Sequence, residues 1–332
     1  MTEANRQILL DQLPQGPLAP EHFRLIETPP PQAVAGEVLV RTRYISLDAA
    51  NRAWMMGATY RSALGAGQVM AGTALAEVVD SKASGLKPGD LVSGDIGWQD
   101  YAALPANALT KLPNMEPLSH LMSVYGIAGL TAYFGLLDCG QPKAGETVVV
   151  SAAAGSVGSL VGQIAKIKGC RVVGIAGGPD KCAWLTGTLG FDAAIDYKAG
   201  DLRRQVREAV PEGIDVYFDN VGGEILDTCL FNMKVHGRVV GCGAISAYDT
   251  AAPPPPLRAV PGLILMRRLT MRGFLVTDFE DQRARALKDL EVWVASGQLK
   301  IQEDILEGLE NTPQALIGLL HGDNLGKRMV RV

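Results

Sequence analysis

This 332-residue sequence has no CxxC pair, no histidine cluster, no wholly apolar run near the length of a bilayer, and no massed basic patch. Each absence excludes a class. The five cysteines, Cys139, Cys170, Cys182, Cys229 and Cys242, are odd in number and widely spaced, so they read as reduced, packed thiols rather than a disulfide framework. Without about 20 consecutive apolar residues the chain has no membrane span. With net charge −4 and scattered Lys and Arg it lacks the footprint of a nucleic-acid binder. The first thirty residues mix charges and prolines and never form the apolar stretch of a secretory signal, so a cytoplasmic location and small-molecule partners are expected.

What is present is length, glycine and alternation. A chain this long exceeds one ordinary domain. From Val38 to about Leu104, short runs such as EVLVRTRYISL and TALAEVVD are broken by Gly, Pro and Asp, which predicts a β-rich unit. After Pro117 the texture turns helical. Strands are then expected at Thr147–Ser151, Arg171–Ala176, Ala193–Asp196, Ile214–Asp219 and Arg238–Cys242, separated by helix-length stretches. Near-continuous Val and Ile with crossovers predicts an α/β fold with a doubly wound parallel sheet. A further helix is expected over Asp281–Gly297, after which Leu299–Val332 returns to the first unit.

The stretch SAAAGSVGSLVGQIAKIKG (151–169) follows the first of these strands, and Val157, Leu160, Val161 and Ile164 recur at helical spacing. Ala153, Gly155 and Gly158 therefore stand at a strand-to-helix turn, where small residues let backbone amides approach a pyrophosphate. Alone, AxGxxG also fits a tight turn with no ligand. Its βαβ setting favours a dinucleotide. The second strand ends in Ala176-Gly177-Gly178, with Lys181 following and no acid. A carboxylate about 4 Å from a phosphate charge costs about 4 kcal/mol at an effective dielectric of 20, so this ending favours the 2′-phosphate of NADPH. Tyr197 is either a second cover for that phosphate or a surface tyrosine. FDNVGGEIL (218–226) and VVGCGAISAY (239–248) follow the next strands, at the ends where such sheets bind ligands.

Taken together, YISLDAANR, GLTAYFGL, AAAGSVGSLVGQIAKIKGC, FDNVGGE, CGAIS and NLGK resemble the zinc-independent medium-chain dehydrogenase/reductase superfamily. The likeness is to the group of leukotriene B4 12-hydroxydehydrogenase, prostaglandin reductases and plant double-bond reductases. It implies a GroES-like catalytic domain (1–122 and 299–332), a Rossmann NADP-binding domain (123–298), a homodimer, and NADPH-dependent reduction of a C=C bond conjugated to a carbonyl. By matching motif it assigns Gly155, Ser156, Val157 and Gly158 to the pyrophosphate and Lys181 and Tyr197 to the 2′-phosphate. Asn220 follows the fourth strand. Cys242, Gly243, Ala244, Ile245, Ser246 and Tyr248 are assigned to the nicotinamide side, and Phe274, Leu275, Val276 and Asn324 to other cofactor-lining segments. Asn324 equally fits a plain turn in NLGK.

Catalytic zinc in the related alcohol dehydrogenases needs a Cys three residues before an Asp and a Gly-His-Glu stretch, whereas this chain has Ile45 before Asp48 and Gly72-Thr73-Ala74. No metal is expected. Hydride addition to the β-carbon moves charge onto the carbonyl oxygen, which needs a donor, and the α-carbon then needs a proton. Tyr248 is the first candidate, a cofactor ribose hydroxyl the alternative. Tyr44, Asn51, Arg52 and Tyr60 are candidate substrate contacts, and Arg61 is either a carboxylate contact or a solvated arginine. Two departures bear on the substrate: Met266 stands where plant relatives carry a tyrosine, and Asp48-Ala49-Ala50-Asn51-Arg52 replaces their DPYMR. The proline-rich stretch 247–262 is read as a lid or a static connection. An NADPH quinone reductase and a non-catalytic NADPH-binding scaffold are the competing functions.

Overall fold

A computed structural model describes residues 4–250 and 259–332; residues 251–258 of the expected lid lie outside the described residues. Two sheets organise the chain. The six-stranded parallel sheet runs, in spatial order, Ala193–Asp196, Arg171–Ala176, Thr147–Ser151, Ile214–Asp219, Met233–Gly241 and Thr270–Gly273. In sequence order that is 3-2-1-4-5-6, the doubly wound arrangement whose direction reverses between the first and fourth strands. Val148, Val149 and Val150 are 0% exposed because helices cover both faces. Each such side chain contributes about 1.5–3 kcal/mol of burial. The fifth strand begins earlier than the sequence predicts, and the sixth was hidden in GLILMRRLTMRGF.

The seven-stranded sheet is mostly antiparallel. It takes Glu37–Ser46, Thr73–Ser81, Leu91–Asp95, Tyr101–Pro105 and Thr110–Leu112, then adds Glu303–Glu307 and Lys327–Arg331 from the C-terminal stretch. The expected return of residues 299–332 is thus a pair of parallel strands beside Glu37–Ser46. In Glu37–Ser46, Val38, Val40 and Thr42 point to one core, but the register slips between Thr42 and Tyr44. That bulge puts Ile45, not Tyr44, into the same core. Tyr44 packs instead with Leu75, Leu112, Leu121 and Met329.

The two halves meet along a C-terminal strap. Gly326 N–H donates to the Ala154 carbonyl at 2.8 Å, beside a parallel bridge between Gly155 and Gly326. Gln163, inside the helix Ser156–Ile167, exchanges hydrogen bonds with the backbone of Lys300 at 2.7 and 3.0 Å. Among the described residues no helix is long and apolar enough to cross a membrane.

Candidate active site

The reversal of strand order opens a crevice at the carboxyl ends of Thr147–Ser151 and Ile214–Asp219. Ser151 and Asn220 hold its floor: Asn220 N–H donates to Ser151 Oγ at 2.9 Å and its side-chain amide to the Ser151 carbonyl at 2.7 Å. Below them Asp219, 4% exposed, accepts from Tyr217 Oη, Ser151 Oγ and the amides of Val221 and Gly222 at 2.8 to 3.2 Å. A buried carboxylate is tolerable only when satisfied in this way. It is a residue the sequence reading did not single out.

The turn from Ser151 into the helix Ser156–Ile167 is tight. Ala152 has φ +47°, and a Cβ on Gly158 would lie 2.3 Å from the Ala152 carbonyl oxygen, so only glycine fits there. Gly155 caps the helix, leaving the amides of Ser156, Val157 and Gly158 with no intrahelical acceptor. Those donors and the helix dipole suit an anion.

Along the next strand end, two lysines converge. A Cβ on Gly177 would touch the Lys198 chain at 2.9 Å and the Tyr197 ring at 3.0 Å, so both side chains lie over the Ala176–Gly178 turn. Burial, and next the charge of Lys198, hold the Lys181 ammonium below the usual lysine range. Its Nζ donates to the Gly322 carbonyl. Asp196 lies close by, but its Oδ1 accepts from the amides of Gly178 (2.8 Å) and Lys198 (2.9 Å) and is committed to the backbone. The arrangement fits a phosphate better than a ribose diol. Lys198 directly follows Tyr197 at the exit of the third strand, where the sequence reading named the tyrosine and passed over the lysine.

The loop after the fifth strand forms the opposite wall. Cys242 and Gly243 donate their amides to the Asp219 carbonyl, Ser246 bonds the Val221 carbonyl through both N–H and Oγ, and Ala244 N–H donates to Tyr248 Oη at 3.1 Å. Burial, then Asp219, pushes the Cys242 thiol up to about 12, so it stays protonated. The Tyr248 oxygen accepts from its own loop, which leaves the O–H to donate outward. Across from it, Tyr60 is 61% exposed and accepts from Trp54 Nε1 at 3.0 Å. Partial burial, with the charge of Asp48 and the Tyr248 phenol, outweighs that hydrogen bond and raises the Tyr60 pKa. Asp48 is itself held below the usual carboxylate range: burial raises it, but the Lys327 ammonium at 2.6 Å and the Ser46 hydroxyl outweigh burial.

Other sequence-predicted residues fall elsewhere. Tyr44 is not brought to Tyr60 and Tyr248; the bulge turns it into a separate cavity with Arg41, Arg43, Leu118 and Arg331. Asn51 is 1% exposed and spends its amide on the backbone of Asp48 and Ala71, and Arg52 is buried against Asp249. Asn51 is fully engaged, whereas Arg52 keeps Nη1 buried without a partner among the described residues while Nε and Nη2 are bonded. Arg61 stacks over Trp54 at 4.5 Å and pairs with Asp95 at 2.8 Å, so its charge is already engaged at the protein surface. Phe274 packs against Phe279 and over Gly135, inside the core, while Leu275 and Val276 remain at the sheet end. Asn324 donates to the Gly326 carbonyl at 2.9 Å, a turn role. Met266 is 70% exposed. Among the described residues no group of three His, Cys, Asp or Glu side chains is placed to hold a metal. Ile45 and Ala74 fill the corresponding strands with buried aliphatic groups, so the donor set does not fit catalytic zinc.

This pairing of a doubly wound nucleotide sheet with a β-rich partner, meeting at a metal-poor cleft, defines a medium-chain dehydrogenase/reductase. Residues 6–112 match the family described as the N-terminal domain of oxidoreductase, and residues 156–291 that described as zinc-binding dehydrogenase. The NADPH-dependent curcumin reductase of Escherichia coli is 41% identical over 99% of this chain and 97% of its own length. Prostaglandin reductase 1 of Rattus norvegicus is 45% identical over 93% of this chain and 94% of its own. The crystal structure of CurA from Vibrio vulnificus in complex with NADPH superposes with a TM-score of 0.94 at 40% identity, covering 98% of this chain and 99% of that one. The chain belongs to the zinc-independent branch of that superfamily, in the group of curcumin and prostaglandin reductases.

Proposed function

We propose that this protein uses NADPH to reduce the C=C bond of α,β-unsaturated ketones or aldehydes without a metal. The observation that carries the proposal is the pair of phenols, Tyr60 and Tyr248, at the nucleotide crevice where zinc ligands are missing. The named activities of the Escherichia coli and rat relatives support it. The amides of Ser156, Val157 and Gly158 hold the pyrophosphate; Lys181, Lys198 and Tyr197 hold the 2′-phosphate. Asn220, the Cys242–Ser246 backbone, Leu275 and Val276 line the nicotinamide side. Bound there, NADPH supplies the hydride for the β-carbon.

The chain's own residues do the rest. Tyr248, its oxygen already occupied by Ala244 N–H, donates its proton toward the carbonyl oxygen where charge develops. Tyr60, with its raised pKa, stays a neutral donor at pH 7 and lends a second hydrogen bond. The α-carbon takes its proton from a phenol or from solvent. Trp54, buried beneath Arg61, positions the Tyr60 hydroxyl through its indole N–H. Residues 1–122 with 299–332 act as the catalytic domain and 123–298 as the cofactor domain, in the cytoplasm. Among the described residues the strand Thr270–Gly273 has no partner along one edge, and it follows exposed Leu265 and Met266, which together suit a homodimer. Steady-state assays with NADPH and trans-3-nonen-2-one beside a quinone test the proposal. Enone turnover is expected, and quinone turnover without it refutes the proposal.

A further inference from the structure

Tyr248 is clamped between two anchors. On one side Ser246 is bound to Val221 of the nucleotide sheet. On the other, Asp249 Oδ1 accepts from Arg52 Nε at 2.9 Å and from the Leu18 amide at 2.7 Å. Only Ala247 and Tyr248 lie between. The Arg52 side chain is 3% exposed and Asp249 11%, and Arg52 Nη2 also donates to the Gly16 carbonyl at 2.8 Å. Arg52 follows Asp48 in the substrate-side half, so this ion pair crosses from one half of the molecule to the other. Two desolvated charges are an expensive way to gain stability, since an apolar pair of similar volume serves as well. Their value lies in direction: the pair fixes both distance and angle.

We infer that Asp249, held by Arg52 and the Leu18 amide, is a positioning residue: a latch between the two halves that sets where the Tyr248 phenol stands over the reacting carbonyl. The inference rests on Tyr248 being the donor. A donor displaced by about 1 Å loses its effect in the transition state while substrate still binds. Asp249→Ala is therefore expected to lower kcat for enone reduction about tenfold, with KM and the Kd for NADPH within twofold of the parent. Asp249→Asn keeps an acceptor oxygen for both donors and recovers most of the loss. In the Tyr248→Phe/Asp249→Ala double variant the two losses do not multiply, because one acts through the other. Arg52→Met/Asp249→Leu removes the latch without leaving a lone buried charge, and it repeats the kcat loss in a protein of near-parent Tm.

An unchanged kcat in that apolar pair, or fully multiplicative losses in the double variant, overturns the latch. Hydrogen exchange separates this from failure of the donor assignment. If Tyr248→Phe alone keeps parent kcat, Tyr248 is not the donor, and exchange in the NADPH-loaded apolar-pair variant then judges the latch by itself. Faster exchange of the amides of Gly16 and Leu18 and of those at 244–248 supports it, and parent rates overturn it.

Discussion

Replacing Lys181 by Ala removes one of two converging cations from the Gly177 turn. A unit charge about 4 Å from another is worth about 4 kcal/mol at an effective dielectric of 20. Lys181 is only half-buried and already donates to the Gly322 carbonyl, so part of that attraction is screened and part replaces an existing bond. About 2 kcal/mol remains, a Kd for NADPH about thirtyfold weaker. NADH carries no 2′-phosphate, and its Kd moves by less than twofold. Removing Lys198 as well costs less than a second full step, because Lys198 is exposed and its attraction for the phosphate is screened by solvent. The pH dependence has a definite sign. The free ammonium titrates below the ordinary lysine range and a bound phosphate raises it again, so NADPH affinity falls as pH climbs through the lowered value. Fluorescence titrations of both cofactors, at two ionic strengths, measure all of this. Equal weakening for NADPH and NADH would refute the phosphate assignment.

Further consequences are open to measurement. Gly158→Ala pushes a Cβ to 2.3 Å from the Ala152 oxygen, so the turn must shift: Tm falls by several degrees and NADPH binding weakens more than tenfold, read by calorimetry. Burial raises all five thiols, Cys170 to about 11 and Cys242 to about 12. At pH 8 the thiolates of Cys170 and Cys242 are scarce, so N-ethylmaleimide labelling of these two in the folded chain runs at least about a hundredfold slower than for an ordinary thiol, and it accelerates toward pH 11. Mass spectrometry follows it; rapid labelling of either at pH 8 contradicts the buried assignment. Leu265→Glu with Met266→Glu places charge beside the open sheet edge and yields a monomer by sedimentation if that edge joins two copies.

How much of this was legible in the sequence differs by element. The first four nucleotide strands were readable to the residue because short apolar runs, each cut off by glycine, charged or turn residues, alternate with helix-length stretches. The sixth, Thr270–Gly273, was not: its four residues are exposed and carry no apolar period. Asn5–Leu10 was missed for a similar reason, since a polar start hides a strand whose last three residues are buried. Tyr44 went astray because a bulge at Thr42 reverses the faces, and no alternation rule announces a bulge. Of the proposed site, the tight turn at Gly155 to Gly158 was in reach because local chemistry fixes it. Lys198, Asp219 and the Arg52–Asp249 pair depend on strands and loops distant in sequence meeting in space.

The central claim is hydride delivery to carbon rather than to the carbonyl group. Stereospecifically labelled [4-²H]NADPH with an enone, followed by NMR of the product, tests it directly. Deuterium at the β-carbon of a saturated ketone is the predicted result. Deuterium at a carbinol carbon, with the double bond intact, would contradict it.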